Sequence, residues 1–150
     1  MKLMSVVDGK KKYLEEVNDE AFSQKMMGDG LAIEPTEGKL YAPVSGIITV
    51  VFPTKHVIAI TSMEGIDVII HVGIDTVELK GTYFHPYVKV GDKVKAGDML
   101  MSIDLKNIKK RYHPTTMIVI ENDEDYQLFK TDHKDIQAAG ELMKVKKVSV

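Results

Sequence analysis

Short runs of β-branched, apolar and aromatic residues recur along the chain, separated by glycine, proline and aspartate. Runs of about four to eight such residues between turn-forming residues are typical of β-strands, and convincing helical periodicity is scarce. The pattern therefore predicts an all-β chain, folded as an antiparallel β-sandwich or a flattened barrel with little helix. The predicted strands are Leu31–Ile33, Gly46–Phe52, His56–Thr61, Ile66–Val72, Met99–Ile103, Met117–Ile120 and Lys144–Val148.

Two segments give weak helical signals. The better candidate is Asp123–Lys130, with Leu128 and Phe129 as its apolar residues, and Leu105–Lys110 is predicted to form a short turn of helix. No linker or low-complexity tract interrupts the chain, so residues 1–150 are predicted to form one domain.

Two internal echoes suggest a duplicated strand-turn-strand motif. Val7-Asp8-Gly9 resembles Val44-Ser45-Gly46, and each is followed by apolar residues. The turn Gly91-Asp92 recurs at Gly97-Asp98. Such repeats fit a sandwich assembled from two similar units.

The segment that follows Thr54 is predicted to form a β-hairpin, with Met63-Glu64-Gly65 supplying the turn. If the loop has an even number of residues centred between Met63 and Glu64, His56 and His71 pair directly across the two strands, with Cβ atoms about 4.5–5.5 Å apart. A three-residue loop would instead send the two histidines to opposite faces. The hypothesis of a shared site depends on this register.

Two adjacent imidazoles suit two kinds of chemistry. Neutral histidine is a common zinc ligand. Alternatively, one imidazole can attack a phosphoryl group while the second donates a hydrogen bond to the phosphoryl oxygens. A pair of half-buried structural histidines is the third interpretation, and the spacing alone leaves all three open.

Composition excludes several other kinds of function. The 150 residues contain no cysteine, so disulfides, thiolate metal sites and cysteine nucleophiles are excluded, and a reducing compartment is favoured. The sequence shows no apolar run of the length of a signal peptide or a transmembrane helix. A net charge of −2 gives no general attraction to nucleic acid or anionic lipid. We therefore expect a cytoplasmic protein that neither binds nucleic acid nor inserts into the membrane.

Four segments follow one another in the order found in one known family. They are GDGLAIEP at 28–35, YAPVSGIITVVFPTKH at 41–56, HVGIDTVELKG at 71–81 and VKVGDKVKAGD at 88–98. They resemble the glucose-type IIA domain of the bacterial sugar phosphotransferase system, for which HVGIDTVELKG is a specific signature. The resemblance covers essentially the whole chain, although the opening SVVDGKKKYLEEV is less apolar than the family's usual first strand.

The resemblance implies a β-sandwich and a cytoplasmic phosphotransferase that acts in sugar transport. Such a protein accepts a phosphoryl group from the phosphocarrier HPr and passes it to a cysteine of a IIB domain, while the membrane partner chooses the sugar. Regulatory target proteins are further partners that the resemblance allows.

By position, His71 matches the histidine that becomes phosphorylated through Nε2, and His56 matches the second histidine, which stabilises the phosphoryl group. Thr54 is expected to hydrogen-bond His56 or the phosphate. The Nδ1–H of His71 is expected to donate to a backbone carbonyl, that of Gly73, which would fix its tautomer.

The same correspondence indicates a docking surface for partners. Asp19 and Asp75 match acidic positions that meet basic residues of partners. The apolar part of the surface would consist of Phe22, Met26, Met27, Phe52, Ile69 and Val77, although the composition alone would place about half of these residues in the core.

No cofactor is expected, and His56 with His71 should bind zinc only weakly, because two ligands fall short of a stable site. Tight zinc binding is expected only where a regulatory partner adds a carboxylate. A zinc peptidase of related fold could use His71 and Asp75, but it also needs an H-x-H motif, which the sequence lacks. A biotinyl or lipoyl carrier needs a lysine at a hairpin tip, where this chain has Met63-Glu64. The remaining histidines, His85, His113 and His133, are expected at the surface.

Overall fold

The computed structural model describes residues 1–148, which form fourteen β-strands, two short α-helices and three 3-10 helices. The α-helices are α1 (Glu20–Ser23) and α2 (Leu105–Lys109), and the 3-10 helices are Leu14–Glu16, Thr76–Leu79 and Asp123–Asp125. The strands are β1 (Lys2–Met4), β2 (Gly9–Tyr13), β3 (Asp29–Pro35), β4 (Lys39–Tyr41), β5 (Gly46–Val51), β6 (Val57–Ser62), β7 (Asp67–Val72), β8 (Phe84–Pro86), β9 (Lys93–Val94), β10 (Met99–Ile103), β11 (Thr116–Ile120), β12 (Tyr126–Lys130), β13 (Asp135–Ile136) and β14 (Glu141–Lys147).

The strand pairs are antiparallel and build three sheets. The large sheet has eight strands in the order β13-β2-β3-β11-β7-β6-β5-β9, and two sheets of three strands have the orders β1-β14-β12 and β4-β10-β8. The large sheet ends at β13 and at β9 rather than closing on itself. The predicted all-β class is confirmed, and of its two forms the chain adopts the β-sandwich.

Alternation along the central strands divides the buried residues between two faces of the large sheet. On the inner face, Ile70 joins the main core with Leu100 and Leu142 from the two smaller sheets. On the outer face lie Ile69 and His71, beside a second and smaller apolar cluster. The outer face is therefore partly covered and partly free, and the candidate site lies on it.

The seven predicted strands are confirmed, with ends that shift by at most three residues. The short helix at Leu105–Lys110 is confirmed as α2, whose first turn is capped by the Asp104 carboxylate accepting from the Asn107 N–H. The helix predicted over Asp123–Lys130 is wrong. That segment makes one 3-10 turn and continues as β12, where half-buried and exposed residues alternate with the period of two that a strand requires.

The hairpin between β6 and β7 turns through three residues. The Ser62 N–H donates to the Ile66 carbonyl at 2.9 Å, which leaves Met63–Gly65 as the loop. Gly65 has a φ of +91°, the left-handed conformation that three-residue hairpin loops favour at their last position. The register predicted from an even loop is therefore wrong by one residue.

Candidate functional site

His71 stands near the end of β7, on the outer face of the large sheet. Its cross-strand neighbours are Met117 on β11 and Val57 on β6. The ring of Phe22 packs edge-on against the imidazole, with centroids 4.9 Å apart, and Phe22 is itself buried in the outer cluster, at 3% exposed. His71 is thus held on a rigid strand beneath the segment that contains α1.

His56 meets His71 despite the error in the predicted register. Because Val57 pairs with His71, strict alternation would turn His56 toward the core face. However, His56 precedes β6 and follows Lys55, where a φ of +64° bends the chain. The two imidazole centroids are 4.9 Å apart, with the rings at 89° to each other. The contact forms at the end of the hairpin, where strand alternation no longer fixes the direction of a side chain.

Thr54 and two aromatic rings hold the imidazole of His56. The Oγ1 atom of Thr54 lies 2.8 Å from Nδ1 of His56. Phe52 and Phe84 pack edge-on against the ring, at centroid distances of 5.7 and 6.4 Å. His56 is only 3% exposed. Because Thr54 occupies Nδ1, Nε2 is the ring nitrogen that is left for a ligand.

Burial keeps both imidazoles neutral. The pKa of His71 is lowered to about 4, first by burial and second by His56, whereas the Gly73 backbone and the Asp19 carboxylate act to raise it. Burial also lowers the pKa of His56, whereas the nearby backbone of Thr54 acts to raise it. At neutral pH each ring therefore presents one N–H donor and one lone pair.

The Nδ1 atom of His71 is buried and has no hydrogen-bond partner within residues 1–148. The hydrogen bond predicted from Nδ1–H to the Gly73 carbonyl therefore stays a prediction, which the proximity of the Gly73 backbone supports, since this backbone raises the pKa of His71. The Gly73 N–H donates to the Thr115 carbonyl at 2.8 Å, which ties the turn after β7 to the residue that precedes β11. With Nδ1 enclosed, Nε2 is the nitrogen available to a reactant.

A groove of about 410 Å³ opens beside His71 on the outer face. Its lining is apolar apart from His71 and two carboxylates, those of Asp19 and Glu121. The predicted docking residues found in this lining are Asp19, Phe22, Met27, Phe52 and Ile69. Asp75, Met26 and Val77 are exposed but do not line the groove.

Five further residues line the groove without having been predicted, and they are Ala21, Val50, Val57, Ala59 and Glu121. The one-residue register error accounts for two of them, because it would have placed the even-numbered residues of β6 on the face of His71. Glu121 could have been placed on the outer face from the alternation along β11, because Met117 and Val119 point to the same side.

Within residues 1–148, no three side chains of histidine, cysteine, aspartate or glutamate are grouped so that they could hold a metal ion. His85, His113 and His133 are exposed, as predicted. Among the described helices, none has the length and hydropathy that a membrane span requires.

Comparison with known proteins gives consistent matches over most of the chain. A family model described as phosphoenolpyruvate-dependent sugar phosphotransferase system, EIIA 1, matches residues 1–126. The solved structure of glucose permease IIA from Mycoplasma capricolum is similar, with a TM-score of 0.90 and 35% identity over 95% of this chain and 94% of that one.

The glucose-specific EIIA component of Halalkalibacterium halodurans is 43% identical over 129 residues, which are 85% of this chain and 75% of that protein. The glucose-specific EIIA component of Bacillus cereus is 42% identical over 146 residues, covering 95% and 88% respectively. The β-glucoside-specific EIIBCA component of Halalkalibacterium halodurans is 43% identical over 134 residues, but the chain spans only 21% of its length.

Proposed function

The chain belongs to the EIIA 1 family of the phosphoenolpyruvate-dependent sugar phosphotransferase system, and on this basis we propose that it carries a phosphoryl group on His71. The observation that supports the proposal is the contact between two neutral imidazoles at the edge of an open apolar groove. One ring can act as the nucleophile and the other as a hydrogen-bond donor, without a metal or another cofactor.

His71 acts as the nucleophile. Because its pKa is lowered to about 4, the imidazole is neutral at pH 7 and no proton has to leave before the attack. A proton on the enclosed Nδ1 leaves the lone pair of Nε2 free. As Nε2 forms its bond to phosphorus, the bond between phosphorus and the donor's leaving group breaks, and the rigid strand keeps the attack in line.

His56 stabilises the transferred group. When the Thr54 hydroxyl donates to Nδ1 of His56, the proton of that ring lies on Nε2 and can be donated to a phosphoryl oxygen. The low exposure of His56 strengthens this hydrogen bond, because little water competes for it. Thr54 is therefore a positioning residue that acts through His56.

The donor in this proposal is HPr, and the acceptor is a cysteine of a IIB domain. The apolar lining of the groove offers a docking surface, and exposed Met27 suits a surface that receives more than one partner, because methionine repacks easily. Asp19, beside His71, and Asp75, in the loop after β7, would meet basic residues of the partners. The relative named as an EIIBCA component supports a IIB domain as the acceptor.

Mass spectrometry of variants tests the assignment. The wild type, His71→Gln, His56→Gln and His85→Gln are each incubated with phosphoenolpyruvate, enzyme I and HPr. We expect no phosphate on His71→Gln, whereas His56→Gln accepts the group but does not pass it to a IIB domain. His85→Gln, altered at an exposed histidine, should behave as the wild type. Phosphate found on His56 in place of His71 would refute the proposal.

A further inference from the structure

Glu121 marks the far end of the groove, away from His71. It follows the last residue of β11, and its N–H donates to the Asp67 carbonyl at 2.9 Å. Along β11, Met117 pairs with His71, so Glu121 lies four residues further on. At about 3.3 Å per residue, this is about 13 Å from the row of His71. Glu121 is therefore too distant to touch a phosphoryl group, but it faces whatever fills the groove.

The charge of Glu121 is uncompensated. Its side chain is exposed, and within residues 1–148 it takes part in no ion pair. The described lining of the groove contains neither lysine nor arginine. By contrast, the other carboxylate of the groove, Asp19, accepts the Ala21 N–H as the cap of α1. Asp67 lies beside Glu121 and adds a second negative charge, which the Thr61 hydroxyl partly satisfies at 2.7 Å.

We propose that Glu121 is a specificity-determining residue that receives a lysine or arginine of HPr. This inference rests on the proposed function, in which HPr docks on the groove. An apolar groove that ends at an unpaired carboxylate fits the side chain of a lysine or arginine. Its methylene groups can pack against the apolar lining while its charged group reaches Glu121. A charge pair at the rim of an interface favours association with the correct partner and leaves the chemical step unchanged.

Charge reversal tests the inference. Glu121→Lys is compared with Glu124→Lys, which makes the same change at an exposed residue outside the groove lining. The dissociation constant for unphosphorylated HPr is measured by NMR titration, which does not depend on phosphoryl transfer. The rate of transfer from phosphorylated HPr is then measured as a function of HPr concentration, at low and at high salt.

We expect Glu121→Lys to raise both the dissociation constant and the KM about five- to tenfold, with kcat changed by less than about twofold. The effect should shrink at high salt, and Glu124→Lys should stay within about twofold of the wild type. Equal effects of the two substitutions, or a loss confined to kcat, would overturn the inference. If the wild type binds HPr but accepts no phosphate on His71, the proposed function fails, while the binding comparison still decides the role of Glu121.

Discussion

The two histidines of the site are held in place by different means. His71 belongs to β7, and its backbone is fixed by strands on both sides. His56 lies outside β6, and Thr54 and the neighbouring aromatic rings set the direction of its imidazole. The proposed nucleophile, His71, is therefore rigid through the sheet, whereas the ring proposed to stabilise the phosphoryl group depends on local contacts. Substitution of Thr54 should consequently impair the transfer of the group more than its acceptance.

The lowered pKa of His71 makes stability depend on pH. An unfolded histidine binds a proton below about pH 6.5, whereas folded His71 stays neutral down to about pH 4. Between these values the unfolded state binds more protons, so the free energy of unfolding falls as the pH falls, by about 3 kcal/mol over the window. Urea unfolding at several pH values measures this fall. The substitution His71→Gln should remove most of this fall in the free energy of unfolding. If the fall is unchanged in that variant, His71 is not its cause.

The neighbours of His71 should change its pKa in opposite directions. His56 lowers that pKa and the Asp19 carboxylate raises it. We therefore expect His56→Gln to raise the pKa of His71 and Asp19→Asn to lower it further. NMR titration of the imidazole resonances measures both changes. A common direction of change in the two variants would show that the substitutions act through the fold rather than through charge.

At the scale of elements, the chain just after β7 governs the site. Gly73 has a φ of +87°, and a Cβ built there would lie 2.3 Å from Cγ2 of Thr76. Thr76 is fully buried, and its hydroxyl donates to the Val72 carbonyl. The turn that carries the chain away from His71 therefore requires glycine for two reasons, its backbone conformation and the close approach of Thr76.

Gly73→Ala should destabilise the protein by more than about 1–3 kcal/mol and slow the phosphorylation of His71. Gly91→Ala is the matched control, because Gly91 has a φ of +95° but meets nothing within 4 Å. Both variants contain the strained backbone conformation, and only Gly73→Ala adds the clash with Thr76. Urea unfolding of the two proteins separates these costs. Equal losses of stability would show that the clash is relieved at no cost.

Strand propensity predicted the elements of the fold better than it predicted their alignment. The runs that became β5, β6, β7 and β11 are rich in valine and isoleucine, and their composition alone identified them. The length of the loop at Met63–Gly65 was ambiguous from the sequence. A glycine at its end suits a three-residue loop, but the same residues are also compatible with a loop of even length. The lysine-rich β2 was not predicted, since its stability comes from pairing with β3 and β13.

The site was predicted through the resemblance more than through the hairpin. The register that was meant to bring His56 to His71 is wrong, and the rings meet because Lys55 adopts a left-handed conformation. No strand pattern signals such a bend at a lysine, for which positive φ is uncommon. The lining of the apolar groove likewise depends on whether the odd- or the even-numbered residues of β6 face outward. A change of one residue in the length of the loop exchanges these two sets.

At the scale of the whole molecule, the outer face has a covered part and an open part. The segment around α1 covers the cluster that contains Phe22, and the groove remains open between that segment and the strands. The buried part supports His71, while exposed Met27 and Phe52 are available to a partner, at 42% and 43% exposed. Binding and stability should therefore respond to different substitutions.

Met27→Lys should weaken the binding of HPr about tenfold or more without unfolding the protein, because it places a charge in the apolar groove. Met63→Lys makes the same change at the tip of the hairpin, where the methionine is 74% exposed and does not line the groove. It should leave the dissociation constant unchanged. Isothermal titration calorimetry with HPr compares the two variants, with circular dichroism as the check on folding. Similar affinities in both would place the docking surface elsewhere.

The pairing of β1 with β14 has a consequence for tethering. Lys2 faces Lys144 across these strands, and the Met1 ammonium donates to the Val145 carbonyl at 3.1 Å. Both strands reach the end of the molecule where Glu64 lies, and His71 stands about 17 Å along the hairpin from Ile66. A flexible linker joined before β1 or after β14 would therefore leave from the same edge of the molecule. Either linker would reach the same region around the protein. The order of domains in a fused polypeptide would therefore make little difference to the edge from which the linker leaves, and His71 would lie toward the opposite end of the hairpin in either arrangement.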